Sequence, residues 1–283
     1  MRLHLDHVTM CGSDLEAMRG AFREVGLNTT YGGPHANGVT HMDLLAFEDG
    51  SYLELIAPLA AMGGASGVMS GWARLMEGDA GASAWAVRSN DIRGEAQQLR
   101  ESGIEVRGPE AGGRKRADGF ALEWETAIVS PGAAGSVLPF VIEDRTPREM
   151  RVPEASRSAG NLISGVAAVV LGVRHLEASV ARFRRAYELR EPRLEPREDL
   201  GMTIAFFPGT PVMLACALKD DSGLKERIGR FGECPAACLL GTRELDAAIE
   251  RYRLGNPDVW FERRLAWFDE SRLRGTRLGV IEA

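Results

Sequence analysis

The chain has 283 residues, 45% of them hydrophobic, and a formal net charge of −6 at pH 7. That length buries a sizeable core in one or two domains, and the acidic balance gives no general attraction to nucleic acid. No apolar run approaches the ~20 residues that span a bilayer, and the N-terminus alternates like a strand and not like a signal peptide, so a cytoplasmic protein with no membrane partner is expected. Four scattered cysteines, Cys11, Cys216, Cys234 and Cys238, read as small buried side chains before they read as a zinc site or redox couple.

One pattern returns four times at intervals of roughly 70–85 residues: an apolar strand, a turn, then an amphipathic helix. The first apolar residues of these helices are Leu15, Ile92, Leu176 and Leu245. In the first copy, alternation puts Leu5, His7 and Thr9 on one strand face and Asp6, Val8 and Met10 on the other. Ser13 and Glu16 form a capping-box pattern, so a helix starts near Asp14, buries Leu15, Met18 and Phe22, and stops at Gly26. A short strand is expected at Asn28 to Tyr31, followed by strands Val39 to Phe47 and Ser51 to Ala57 across an Asp49-Gly50 hairpin turn.

A break follows from Met62 to Ala82, with a short helix expected at Gly71 to Glu77. The second copy has a helix Asp91 to Ser102 burying Ile92, Ala96 and Leu99, then strands Gly119 to Val129 and Ser136 to Glu143. Thr146 to Leu162, rich in Pro, Arg, Ser and Gly and without periodicity, reads as a linker. In the third copy Leu176, Val180, Phe183 and Tyr187 make the stripe, with strands Met202 to Phe207 and Val212 to Leu218; the fourth uses Leu245, Ile249 and Tyr252, then Val259 to Phe268 and Thr276 to Glu282.

The segments GGPHANGVTHMDLL from Gly32, GSYLELIAP from Gly50, RKRADGFALEW from Arg114, LPFVIED from Leu138 and GVAAVVLGVRHLEA from Gly165 resemble the vicinal oxygen chelate superfamily, and within it the glyoxalase-like domain group. The resemblance implies an α+β fold of four β-α-β-β-β units in two paired, cup-shaped mixed sheets. It also implies a divalent metal, Zn, Fe, Mn or Ni, held by a histidine on a unit's first strand and a glutamate on its last. Those positions fall on His7 and Glu54. Both interrupt apolar strands, and an imidazole with a carboxylate suits such ions as a Lewis-acid site.

The later copies lack these groups: Ala84 and Ala168 stand at the histidine position, and the strand PVMLACAL has no carboxylate. The second half therefore reads as a structural copy or lid. The chain divides into residues 1–145 with the functional cup, a linker 146–162, and a degenerate pair of units at 163–283.

Glu143 is the candidate third ligand or proton shuttle beside Glu54, and His41 is the other candidate, although either it or Met42 faces the cup. His35 reads as a rim group, Tyr52 shares the face of Glu54, and Trp124 is a cup wall or core residue. Arg114 and Arg116, with Lys115 in a loop after Gly112-Gly113, either hold a substrate carboxylate or phosphate or form a solvated basic turn. His7 and Glu54 have a plainer reading as a satisfied polar pair in an empty cup.

The expected function is a metal-dependent lyase, isomerase or dioxygenase acting on a small oxygenated organic molecule. The alternative is a protein that binds or sequesters such a molecule without catalysis. Either a monomer or a homodimer satisfies the pairing of units.

Overall fold

The computed structural model describes residues 3–60, 68–116, 118–130, 137–152 and 162–283. The first unit runs β1 (Leu5–Cys11), α1 (Leu15–Glu24), β2 (Thr30–Pro34), β3 (Thr40–Ala46) and β4 (Tyr52–Pro58), and α2 (Val68–Glu77) leads out of it. The second runs β5 (Gly81–Arg88), α3 (Ile92–Glu101), β6 (Val106–Lys115), β7 (Ala121–Val129) and β8 (Phe140–Asp144), followed by the single turn α4 (Arg148–Arg151). The third is β9 (Gly165–Val173), α5 (Leu176–Tyr187), β10 (Arg193–Arg197), β11 (Met202–Phe206) and β12 (Val212–Ala217), with α6 (Gly223–Phe231) leading out. The fourth is β13 (Pro235–Thr242), α7 (Leu245–Tyr252), β14 (Asp258–Trp260), β15 (Arg263–Trp267) and β16 (Leu278–Glu282). The stretch after Met62, the strand start expected at Ser136 and the middle of the expected linker lie outside the described residues.

All four units are β-α-β-β-β, and they pair into two eight-stranded mixed sheets ordered β2-β3-β4-β1-β5-β8-β7-β6 and β10-β11-β12-β9-β13-β16-β15-β14. In each unit the first and last strands are parallel neighbours, which requires a crossover, and the helix supplies it. Units join through their first strands, β1 antiparallel to β5 and β9 to β13. Each sheet curls until its edges meet. Arg114 on β6 donates to the Gly32 carbonyl on β2, while Arg197 on β10 reaches Asp258 on β14 at 2.8 Å and Arg193 reaches Glu262 at 3.1 Å.

The four unit helices lie on the convex faces, and their stripes feed one core shared by both sheets. Leu15 and Phe22, Ile92 and Leu99, Phe183 and Tyr187, and Leu245 and Tyr252 are all buried there. A fully buried side chain of this size contributes roughly 1.5–3 kcal/mol. The concave faces differ: the second is lined mainly by apolar side chains such as Met202, Ile204, Met213, Leu265 and Ile281, whereas the first gathers His7, His35, Glu54, Arg114 and Arg151.

Three local expectations need correction. The side-chain cap of α1 comes from Asp14, which accepts from the Ala17 N–H at 3.0 Å, while the Ser13 hydroxyl donates to Asp79 and Glu16 pairs with Arg19. The segment expected as a basic loop is strand β6, paired with β7 from Val106 to Lys115. The single strand expected from Val259 to Phe268 is the hairpin of β14 and β15, turning at Phe261 and Glu262, and β10 was not expected at all. Among the described residues no helix is long and apolar enough to cross a membrane.

Candidate functional site

The hollow of the first sheet depends on an irregularity in β1. Pairing with β5 slips by one residue between Leu5, opposite Val87, and His7, opposite Ala86, which is a β-bulge. Leu5 therefore joins Val8 and Met10 in the shared core, and Asp6 stands beside His7 instead of with Val8 and Met10 as alternation predicts. The two side chains meet, Asp6 Oδ1 lying 2.7 Å from His7 Nδ1.

Asp6 is 0% exposed, yet it stays charged. Burial alone would raise its pKa, but the His7 hydrogen bond and the charges of Arg151, His7 and Arg148 hold it well below the usual carboxylate range. Arg148 contacts its Oδ2, and Arg151 does so at 3.2 Å. An ionised Asp6 accepts the Nδ1 proton of His7, which directs Nε2 into the cup. Tyr52 stacks on the imidazole at 4.7 Å between centroids and Phe140 meets it edge-on at 5.3 Å, so the ring has little freedom.

Glu54, on the neighbouring strand β4, faces His7 Nε2 at 3.7 Å and His35 Nε2 at 3.6 Å, and its Oε2 accepts from the Thr9 hydroxyl at 3.2 Å. Burial would raise its pKa; the close approach of His35, the charges of His7 and His35 and the Thr9 hydroxyl outweigh that and bring it down to about 2. Glu54 is therefore a fixed negative charge at neutral pH. His35 reaches it from the chain between β2 and β3, held by a 2.8 Å contact between its Nδ1 and the Thr40 hydroxyl.

These groups line a cavity of about 180 Å³ whose other wall is Trp124, Phe140, Ile142, Arg114 and Arg151. A wider pocket of about 680 Å³, bordered by Tyr31, Pro34, Arg116 and Glu149, opens beyond it and shares Leu44, Arg114 and Arg151. Arg151 is saturated: it donates to the Tyr52 hydroxyl at 2.7 Å and binds Asp6 and Asp144. Arg114 is different. It is 8% exposed and donates to the carbonyls of Gly32 and Arg151, but among the described residues no carboxylate lies within ion-pair distance. Burial lowers its pKa, offset chiefly by Tyr52 and Glu54.

Of the residues singled out by sequence, the structure gathers His7, Glu54, Tyr52, Arg114 and Trp124 around one cavity, with Arg116 on the outer pocket and paired to Asp118 at 2.8 Å. It does not bring in Glu143 or His41. Glu143 accepts from the Ile92 N–H at 2.8 Å and pairs with Arg145, on the helix side of β8, while Ile142 and Asp144 take the cup side. On β3 it is Met42 that lines the cavity, and His41 lies against Tyr31 at 6.0 Å, its pKa lowered by burial. Sequence reasoning missed Asp6, Asp144, Arg148 and Arg151. The signal that could have found them is an aspartate inside a wholly buried strand, which needs a cation from elsewhere in the chain.

A divalent ion fits this cavity poorly. His7, His35 and Glu54 supply two imidazoles and a carboxylate, but two guanidinium groups share the cavity and the facing wall offers Phe140, Ile142 and Trp124. Among the described residues no group of three or more His, Cys, Asp or Glu side chains is arranged to hold a metal ion.

The sequence profile described as a glyoxalase-like domain matches residues 5–187. A hypothetical protein from Staphylococcus aureus, 13% identical, has a similar structure over 99% of this chain and 99% of its own, with a TM-score of 0.65; at that identity the likeness is one of fold. Methylmalonyl-CoA epimerase from Mycobacterium tuberculosis is 16% identical over 45% of this chain and 93% of its own, with a TM-score of 0.40. Its Streptomyces coelicolor counterpart, in complex with 2-nitronate-propionyl-CoA, is 16% identical over 43% and 95%, with a TM-score of 0.39. No curated protein matches the chain.

Proposed function

The chain belongs to the glyoxalase-like domain family, and on that premise we propose that its first cup binds a small oxygenated organic anion and moves a proton on it. The observation that carries this reading is His7, whose Nδ1 is tied to a buried aspartate at 2.7 Å while Nε2 faces the cavity. His7 is the acid–base group, because Asp6 fixes its tautomer and orientation and supports the imidazolium that forms. Glu54, with a pKa of about 2, is too weak a base to take the proton at neutral pH; its role is to stabilise the charged imidazole. Arg114 binds the substrate's carboxylate or the oxyanion that develops beside it. Trp124, Phe140 and Ile142 keep water from the reacting carbon. Proton transfer of this kind serves isomerase and lyase reactions alike.

In this reading the working cup lies within residues 1–145, the joining segment contributes Arg148 and Arg151 to it, and residues 163–283 support it. The test is exchange of carbon-bound hydrogen for deuterium, followed by NMR in D₂O over a panel of 2-oxo and 2-hydroxy carboxylates. At least one should exchange with the wild type, His7→Gln should slow it by about 10²–10⁴-fold, and Arg114→Gln should weaken binding about tenfold. Binding without exchange in the wild type would leave a sequestering protein and remove the catalytic role, and absence of binding would remove both. Metal content, measured on protein purified without chelator or affinity tag, is expected well below one equivalent. A full equivalent lost in both His7→Ala and Glu54→Ala would restore the divalent-metal reading.

A further inference from the structure

The second sheet retains a cavity of about 490 Å³ under α6, within the range of small-molecule sites. Its floor is Trp260 and Trp267, edge to face at 5.5 Å between centroids, and its rim carries Arg227, Arg230, Arg274 and Arg277. Arg274 is answered by Asp79 at 2.9 Å and Arg277 by Glu270 at 3.2 Å, and the Arg277 guanidinium lies 5.2 Å from the Trp267 ring centroid. Among the described residues Arg227 and Arg230 have no carboxylate within ion-pair distance, and Glu226 is the remaining acidic group on the rim.

Arg227 is the unusual member. Its Nη2 donates to the carbonyls of Ala82 at 2.6 Å and Pro235 at 2.8 Å, but its Nε is buried with no hydrogen-bond partner. Burial also lowers its pKa, offset chiefly by the neighbouring Cys234 thiol. Two guanidinium groups without a carboxylate partner among the described residues, on a cavity floored by two indoles, are a feature that a ligand anion would complete through their remaining N–H groups.

We propose that this cavity is a second ligand site, for a small planar aromatic carboxylate. The ring lies against Trp260 and Trp267, and the carboxylate takes the free donors of Arg227 and Arg230. None of the first cup's residues takes part, so this site stands or falls separately from the proton-transfer reading.

The experiment is calorimetric titration of 2-naphthoate, with tryptophan fluorescence in parallel, into the full chain carrying Arg114→Gln, which disables the proposed anion contact of the first cup. Saturable binding of one equivalent is expected, at least tenfold weaker for the neutral 2-naphthamide and at least tenfold weaker again for naphthoate when Arg227→Gln is added. Should Arg227→Gln fail to fold, Arg230→Gln on the exposed face of α6 reads the same charge. Unsaturable binding, or binding indifferent to both arginines, would overturn the assignment.

Discussion

Glu54 keeps its charge inside the cup because His35 and His7 lie beside it, although burial alone would push its proton affinity the other way. The folded pKa is depressed, from 4.5 to about 2, so the stabilisation is fully present above pH 4.5 and is lost as pH falls toward 2. The amount is on the order of 3 kcal/mol. Urea titrations across that window should show a shallower acid limb for Glu54→Gln than for the wild type, and parallel limbs would contradict the assignment. Asp6 depends on the His7 hydrogen bond and on guanidinium groups, and Asp6→Asn leaves Arg148 and Arg151 facing a neutral amide. A loss of about 3–5 kcal/mol is expected, read as a fall in Tm. At this scale the sequence was only partly legible. His7 and Glu54 stood out as polar interruptions of apolar strands. Asp6 did not, because a bulge reverses the alternation on which the reading relied, and Phe140 to Asp144 carries no alternation that separates Glu143 from Asp144.

The unit helices α1, α3, α5 and α7 were visible because their apolar residues recur at helical spacing, whereas β6 was hidden by its composition. Its sequence, VRGPEAGGRK, has neither alternation nor β-branched residues beyond Val106, and its order comes from pairing with β7. Gly113 shows how close that pairing is, since a Cβ there would stand 2.5 Å from the Leu122 carbonyl oxygen. Gly113→Ala should therefore part the two strands, cost about 1–3 kcal/mol and displace the adjacent Arg114, which denaturation and carboxylate titration would register together. At the start of α1 a sequence motif pointed one residue too early. Asp14→Ala should destabilise by about 1 kcal/mol in denaturant unfolding, the usual worth of a side-chain cap. The single turn α4 is too short for periodicity to reveal, yet it delivers Arg148 and Arg151 to the cup.

In the whole molecule, the fourfold repeat was legible from its helix stripes, and the inequality of the copies from Ala84 and Ala168. How the two sheets share one core was not, because no local pattern encodes contacts between distant faces. That core draws on Leu53 and Trp85 of the first sheet and on Leu214 and Val280 of the second, and the backbone adds bonds from Asp49 to Ser164 at 3.1 Å and from Val166 to the Ser51 hydroxyl at 2.9 Å. Calorimetry is expected to show a single cooperative transition, and two resolved transitions would mean that the sheets hold together separately. The seam between β10 and β14 has a consequence of a different kind. Strand edges recruit strands from other chains, and here the edges bear exposed Leu194 and Val259, guarded by the pairs Arg193–Glu262 and Arg197–Asp258. Ions weaken such pairs, so self-association should grow as salt is added, through exposed strand edges as well as through the screening of net charge, and Arg193→Gln and Arg197→Gln should bring on the same association at low salt.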